Sequence, residues 1–166
     1  MGLYLLSIII VVIGVVLDQF TKSLAVTHLQ DAPIPIIENV FELQYLENRG
    51  AAFGMMQNQQ LFFVVIGVIM LVLFSYMYVK MPHTKRFVPL RACFVAITAG
   101  AIGNMIDRLA LNYVIDFFYF KLIDFPIFNI ADIYVTCATF TLAFLIIFYY
   151  KEDEIDAIFH IFKKRM

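Results

Sequence analysis

The sequence has no tryptophan, and only 15 % of its 166 residues are charged, against the ~25 % usual in soluble domains. Thirteen acids face twelve bases. No basic surplus exists to hold a phosphate backbone, which excludes a nucleic-acid partner. There are two cysteines, Cys93 and Cys137, both in apolar runs and without a Cys-x-x-Cys. That excludes a disulfide framework and a cysteine zinc site, and neither cysteine is flanked by a charge that would make it a thiolate. His28, His83 and His160 lie far apart and no His-Glu-x-x-His occurs, so no metal site and no zinc peptidase is expected. There is no Gly-x-Ser-x-Gly elbow and no Walker loop, and Ser7, Ser23 and Ser75 have no His–Asp pair to activate them.

What is present is apolar. Hydrophobic residues make up 63 %, with 18 Phe and 9 Tyr, and the mean hydropathy is +0.87. A spanning helix needs ~20 mostly apolar residues, and four stretches qualify, at about 3–26, 61–79, 87–106 and 130–150. The first reads as a retained span and not a cleaved signal peptide: no Lys or Arg precedes it, and Asp18-Gln19 stands where a small-x-small site would be. In the third, Ala96/Gly100 and Ala99/Gly103 have the small-xxx-small spacing that permits close helix packing.

The connections set the expected orientation. The second holds Lys80, Lys85, Arg86 and Arg91 and no acid, and the C-terminal tail holds Lys151, Lys163, Lys164 and Arg165. The first and third carry most of the acids. Counting Lys and Arg in short loops puts the second connection and both termini in the cytoplasm. In the first connection Phe41, Leu43 and Tyr45 alternate with Glu42 and Gln44, the period-2 mark of a strand. Pro33 and Pro35 keep the preceding run extended, and a strand around Tyr113–Phe120 is expected from the third connection. In the tail at 152–166, Ile155, Ile158, Phe159 and Phe162 have the spacing of an interfacial helix. The expected fold is an all-α membrane protein with four transmembrane helices and a small extracytoplasmic β-sheet between helices 1 and 2, one membrane-embedded domain over 1–166.

Ionisable groups in a span cost ~2.5–3.5 kcal/mol each and mark candidate sites. Asp18 lies ~22 Å along the first helix, with Lys22 one turn on, where the two can pair. Either they form a self-neutralised pair that holds the bundle or they touch substrate. Asn104, Asp107 and Arg108 share a helical face, and Asp107 beside Arg108 reads most simply as a salt bridge. Asp116 stands among Val114, Ile115, Phe117 and Phe118, and Asp132 opens the fourth span after Asn129. Neither has a base within three positions. Such carboxylates have raised pKa values and are prone to share a proton. They are either separate interface anchors or an aspartic-peptidase pair, one acting as base on water and the other polarising the scissile carbonyl.

Five blocks, in order, resemble bacterial lipoprotein signal peptidase (signal peptidase II). They are Asp18-Gln19-Phe20-Thr21-Lys22, the run from Asn48-Arg49-Gly50 to Gly54, the run from Gly100 to Asn104 and on to Asp107-Arg108, Val114-Ile115-Asp116-Phe117, and Phe128-Asn129-Ile130-Ala131-Asp132. Ile133 stands where that family commonly has Ser, and Arg49 where it commonly has Asn or other residues. The resemblance implies a cofactor-free aspartyl endopeptidase of a bacterial plasma membrane. It would cleave prolipoproteins before a diacylglyceryl-modified cysteine, as a monomer among membrane lipid, with its site at the outer face. By the same resemblance Asp116 and Asp132 are the catalytic pair. Asn104, Asp107, Arg108 and Asn129 shape the site and bind substrate, Asp18, Lys22 and Asn48 are polar supports, and the inhibitor globomycin occupies the site. Two other classes compete. A transporter would use Asp18, Lys22 and Asp107 as a proton relay, but the second span carries no internal charge and the acids crowd the helix ends. A scaffold subunit would not need two carboxylates within reach of each other.

Overall fold

The computed structural model describes residues 2–50 and 57–159. Four helices are long and apolar enough to cross a membrane: α1 (Gly2–His28), α2 (Gln60–Lys80), α3 (Val88–Leu111), which a 3-10 turn at Lys85–Phe87 precedes, and α4 (Ile130–Phe144), which continues as one π-helical turn to Tyr149. The polarity of these helices is inverted relative to a soluble bundle. On α1, Leu5, Ile8, Val12 and Val16 are exposed, as suits lipid contact. The residues buried on α1 are Asp18, Lys22 and Ala25. A face that looks featureless to hydropathy therefore hides its two charges inside.

The central helix is α3, which packs against the other three spans and buries ten residues. Its small residues permit this. A Cβ on Gly100 would fall on the Ala131 carbonyl oxygen and 2.8 Å from Val135 Cγ2, and one on Gly103 would lie 2.5 Å from Asp18 Oδ2. The small-xxx-small stripe is thus the seam on which α4 and α1 close. At the end away from the sheet, Met77, Met81, Phe87, Leu90, Phe94 and Tyr150 form an apolar core. There Arg86 holds Glu154 of α5 (Glu152–Phe159) with Nε at 2.9 Å, and Ile155 packs on the core. This agrees with a helical tail up to Phe159; Phe162 and the rest of 160–166 lie outside the described residues, as do Ala51–Gly54 of the second block.

The sheet is three-stranded, antiparallel and ordered β1-β2-β3, with β1 at Ile34–Ile37, β2 at Phe41–Asn48 and β3 at Val114–Tyr119. Leu46 pairs with Asp116 and Asn48 with Val114. Pro35 is tolerated because β1 is an edge strand. Beyond β3, Phe118 N–H donates to the Phe128 carbonyl at 2.8 Å and Phe128 N–H returns the bond at 3.1 Å. This clips the approach to α4 against the strand. The sheet therefore draws on both connections, 1–2 and 3–4, and not on the first alone.

One boundary differs in a way that matters. The sequence ends the third span near Ile106, but α3 runs on to Leu111, where Asn112 takes the left-handed conformation at φ 63° and donates to the Arg108 carbonyl. No Gly or Pro interrupts 107–111, and Asn tolerates the left-handed cap. Asp107 and Arg108 are consequently helical residues, held in rigid register with Asn104, and not part of a loop.

Candidate active site

Asn129 is the N-cap of α4. Its Oδ1 accepts the Asp132 N–H at 2.9 Å, and Asp132 Oδ2 accepts the Asn129 N–H at 3.2 Å, a reciprocal capping box. The box satisfies orphan donors of the helix start and locks Asp132 in the first turn, where the helix dipole favours a carboxylate. The other end of the same side chain donates to Asp116. Asn129 Nδ2 lies 2.7 Å from Asp116 Oδ1, 3.2 Å from the Ile115 carbonyl and 3.1 Å from Asn104 Oδ1. Asn48, at the end of β2, donates to Asp116 Oδ2 at 2.8 Å. Asn104 Nδ2 donates to Asp132 Oδ1 at 2.8 Å.

Behind this layer lies an ionic knot. Lys22 Nζ donates to Asp18 Oδ2, Asp107 Oδ2 and Asn104 Oδ1, each at 2.9 Å. The ammonium has three protons and all are used. Asp18 Oδ1 accepts the Ala131 N–H at 3.0 Å, tying α1 to the start of α4. Asp107 Oδ2 accepts the Ile115 N–H at 3.1 Å, tying α3 to β3. Buried charges are tolerated when paired and fully hydrogen-bonded, and Lys22, Asp18 and Asp107 meet that condition while 1 %, 0 % and 3 % exposed.

All nine residues singled out from the sequence thus converge at the sheet end of α3. Eight are joined by side-chain contacts, and the ninth, Arg108, reaches the Asn104 carbonyl at 3.4 Å and lies over the Phe63 ring. The Asp18–Lys22 pair forms as expected. The Asp107–Arg108 pair does not: adjacent helical residues point to different faces, and Asp107 turns to Lys22 instead. Gln19 was missed as a site residue. Its Nε2 donates to Asp107 Oδ1 at 2.8 Å and to Asp18 Oδ2 at 3.2 Å. The available signal was its place inside the Asp18–Lys22 block.

A cavity of about 610 Å³ opens onto this network, lined among others by Asn48, Asn104, Arg108, Asp116 and Asp132. Asp132 is half-buried and Asp116 is 1 % exposed. Burial first, and then the negative charge of Asp132, push the Asp116 carboxyl up to about 7; donation from Asn48 and Asn129 and the charge of Lys22 oppose the rise. Arg108 has no acid within salt-bridge distance among the described residues, and its Nε has no partner. No group of three metal-ligating side chains occurs among the described residues. The cavity therefore offers two carboxylates, one of them with its pKa raised by burial and by the charge of the other, beside a guanidinium that pairs with no acid among the described residues.

The chain matches the family model described as signal peptidase (SPase) II over residues 10–148. It is 44 % identical over 145 residues to the lipoprotein signal peptidase of Caldanaerobacter subterraneus subsp. tengcongensis, covering 86 % of this chain and 97 % of that one. It is 42 % identical over 153 residues to the lipoprotein signal peptidase of Clostridium tetani, covering 89 % and 94 %. A bacterial membrane enzyme solved in meso at 2.3 Å resolution superposes with a TM-score of 0.79 at 30 % identity, covering 88 % of this chain and 92 % of that one. Four spans, a three-stranded sheet and a family match that takes in both cavity carboxylates agree: this chain belongs to the signal peptidase II family.

Proposed function

We propose that the chain is an intramembrane aspartyl endopeptidase that removes the signal peptide of prolipoproteins, cutting before the diacylglyceryl-modified cysteine, with Asp116 and Asp132 as its catalytic dyad. The observation that carries this reading is Asn129, which bonds both carboxylates at the wall of one cavity. The dyad works singly protonated. Its ionised member takes a proton from water as the water attacks the scissile carbonyl. The protonated member donates to the carbonyl oxygen, and the resulting tetrahedral intermediate collapses with proton transfer to the leaving amine. Burial of Asp116 beside a second carboxylate favours holding that one proton near neutral pH.

The substrate enters extended, because a helix occupies its carbonyls in its own hydrogen bonds. Asn48, Asn104 and Asn129 orient the carboxylates, and Arg108, which pairs with no acid among the described residues, donates to a substrate carbonyl or ester oxygen. The lipid chains remain in the bilayer beside the exposed faces of the spans. Asp18, Lys22 and Asp107 hold the wall behind. The whole chain acts as one membrane-embedded domain and a monomer, with both termini cytoplasmic and the site at the outer face, and globomycin competes for the cavity. The test is cleavage of a diacylglyceryl-modified prolipoprotein by the purified chain, with Asp116→Asn and Asp132→Asn beside it. Each Asn variant should lose several orders of magnitude in turnover, on the order of 10³ or more, while still binding globomycin. An Asp132→Asn variant cleaving near the parent rate sinks the dyad.

A further inference from the structure

Lys22 is 1 % exposed, yet a chain of hydrogen bonds through Asn104 and Asn129 links it to both cavity carboxylates. An asparagine amide fits a polar site either way round, since its oxygen and nitrogen differ little in size but are opposite in hydrogen-bonding sense. At Asn104 one end of the amide faces the Lys22 ammonium at 2.9 Å. An ammonium only donates, so that end must be Oδ1. The other end is then Nδ2, which donates to Asp132 Oδ1 at 2.8 Å. The same Asn104 Oδ1 takes Asn129 Nδ2 at 3.1 Å, which turns that amide so that Nδ2 also serves Asp116 Oδ1 at 2.7 Å. The capping bond from Asp132 N–H to Asn129 Oδ1 agrees with this sense.

We propose that Lys22 is a positioning residue for the hydrolytic reaction: by fixing the amide of Asn104 it turns a donor to Asp132 and an acceptor to the Asn129 amide, whose sense the helix cap sets as well. The inference rests on the dyad reading given above. It assigns Lys22 more than the neutralisation of Asp18, because the third ammonium proton, which any acceptor would satisfy, goes to the one side-chain amide that also donates to Asp132.

The electrostatics run the same way. The charged groups facing Asp116 are Asp132 from α4, Arg108 from α3 and Lys22 from α1, and Lys22 itself faces Asp18 and Asp107. The charge of Lys22 lowers the Asp116 pKa. Taking that cation away moves both limbs of a singly protonated dyad's bell-shaped pH profile to higher pH.

Lys22→Met alone would strand two buried carboxylates. Asp18→Asn with Lys22→Met leaves Asp107 as the single charge, so the cluster keeps the parent's net charge of one negative. The purified full-length pair variant, the parent, and each combined with Asn104→Leu are compared in lipid. Thermal melting reports folding, and cleavage of the modified prolipoprotein is followed from about pH 5 to about pH 9. For the folded pair variant, kcat should fall roughly tenfold to hundredfold, as when a group that orients a reacting ligand is lost. KM should stay near the parent value and the bell should move up. Asn104→Leu should add little on top of the pair variant, because the two changes break one chain of bonds. A folded pair variant with the parent's kcat and pH profile, or losses that simply multiply, overturns the proposal. Should the pair variant not fold, Asn104→Asp keeps an acceptor for Lys22 but offers Asp132 no donor; full activity there overturns the proposal as well. Asp116→Asn runs alongside. If it is inactive while the Lys22 variant is unmoved, only the positioning role fails; if it is active, the dyad reading itself fails.

Discussion

Asn129 Nδ2 stands 2.7 Å from Asp116 Oδ1, while the other end of that amide caps the helix that carries Asp132. One short side chain therefore sets the position of one carboxylate relative to the other through a strand and a helix that have no covalent reason to meet. Asn129→Asp should keep the cap, since Asp is as good an N-cap as Asn, but it brings a third carboxylate to the pair. We expect a melting temperature close to the parent and cleavage reduced by at least about 100-fold. Asn129→Ala should also lose about 1 kcal/mol of stability. Parent-like cleavage by Asn129→Asp, measured on the modified prolipoprotein, would show that this amide does not govern the pair.

Asp116 also ties stability to pH. Its folded pKa, near 7, lies above the usual carboxylate value because of burial and then Asp132. The folded state therefore binds this proton more tightly than the unfolded state. The stability it contributes is fully present below about pH 4 and is lost as pH rises toward 7, so this group makes the chain less stable at pH 8 than at pH 5. Asp116→Asn should flatten that slope. Melting curves in detergent across this range decide it: equal slopes for parent and variant would mean that Asp116 titrates normally.

Gly103→Ala places a methyl 2.5 Å from Asp18 Oδ2. Either α1 and α3 separate or the Lys22 knot shifts, at a cost of about 1–3 kcal/mol. Gly67→Ala is the control. Its Cβ would meet only Met105 Sδ at an ordinary 3.8 Å, and alanine is the better helix former by ~1 kcal/mol. Melting of both variants should show a clear drop for Gly103→Ala and none for Gly67→Ala. A Gly103→Ala protein as stable as its parent would mean that the seam is loose.

Orientation can be read by labelling single cysteines introduced at Pro82 and at Asn58. Cys137 is exposed and Cys93 buried, so both are first replaced by Ala. The basic second connection predicts a cytoplasmic Pro82 and an external Asn58. The reverse pattern would put the cavity at the cytoplasmic face and overturn the proposed topology.

The sequence by itself determined the spans, because a chain 63 % hydrophobic with four apolar runs has few other ways to bury its backbone polar groups. It also determined the sheet's central strand through the alternation at Phe41–Tyr45, and it marked the site, because ionisable groups so costly in lipid stand out by their rarity. The five blocks named the pair of carboxylates. Partner choice was legible for Asp18 and Lys22, one turn apart on one helix, but not between spans. Asp107 stands next to Arg108 in sequence but turns to Lys22, because helical geometry sends neighbours to different faces and brings together residues from different spans. Gln19 carries no charge to betray it, yet it bridges Asp18 and Asp107. The five extra residues of α3 depended on a cap at Asn112. The tertiary structure alone decided that Asn129 would cap one carboxylate's helix while donating to the other carboxylate, because a hydrogen bond is directional and short, and only the packed seam of Gly100 and Gly103 brings α1, α3 and α4 close enough to form it.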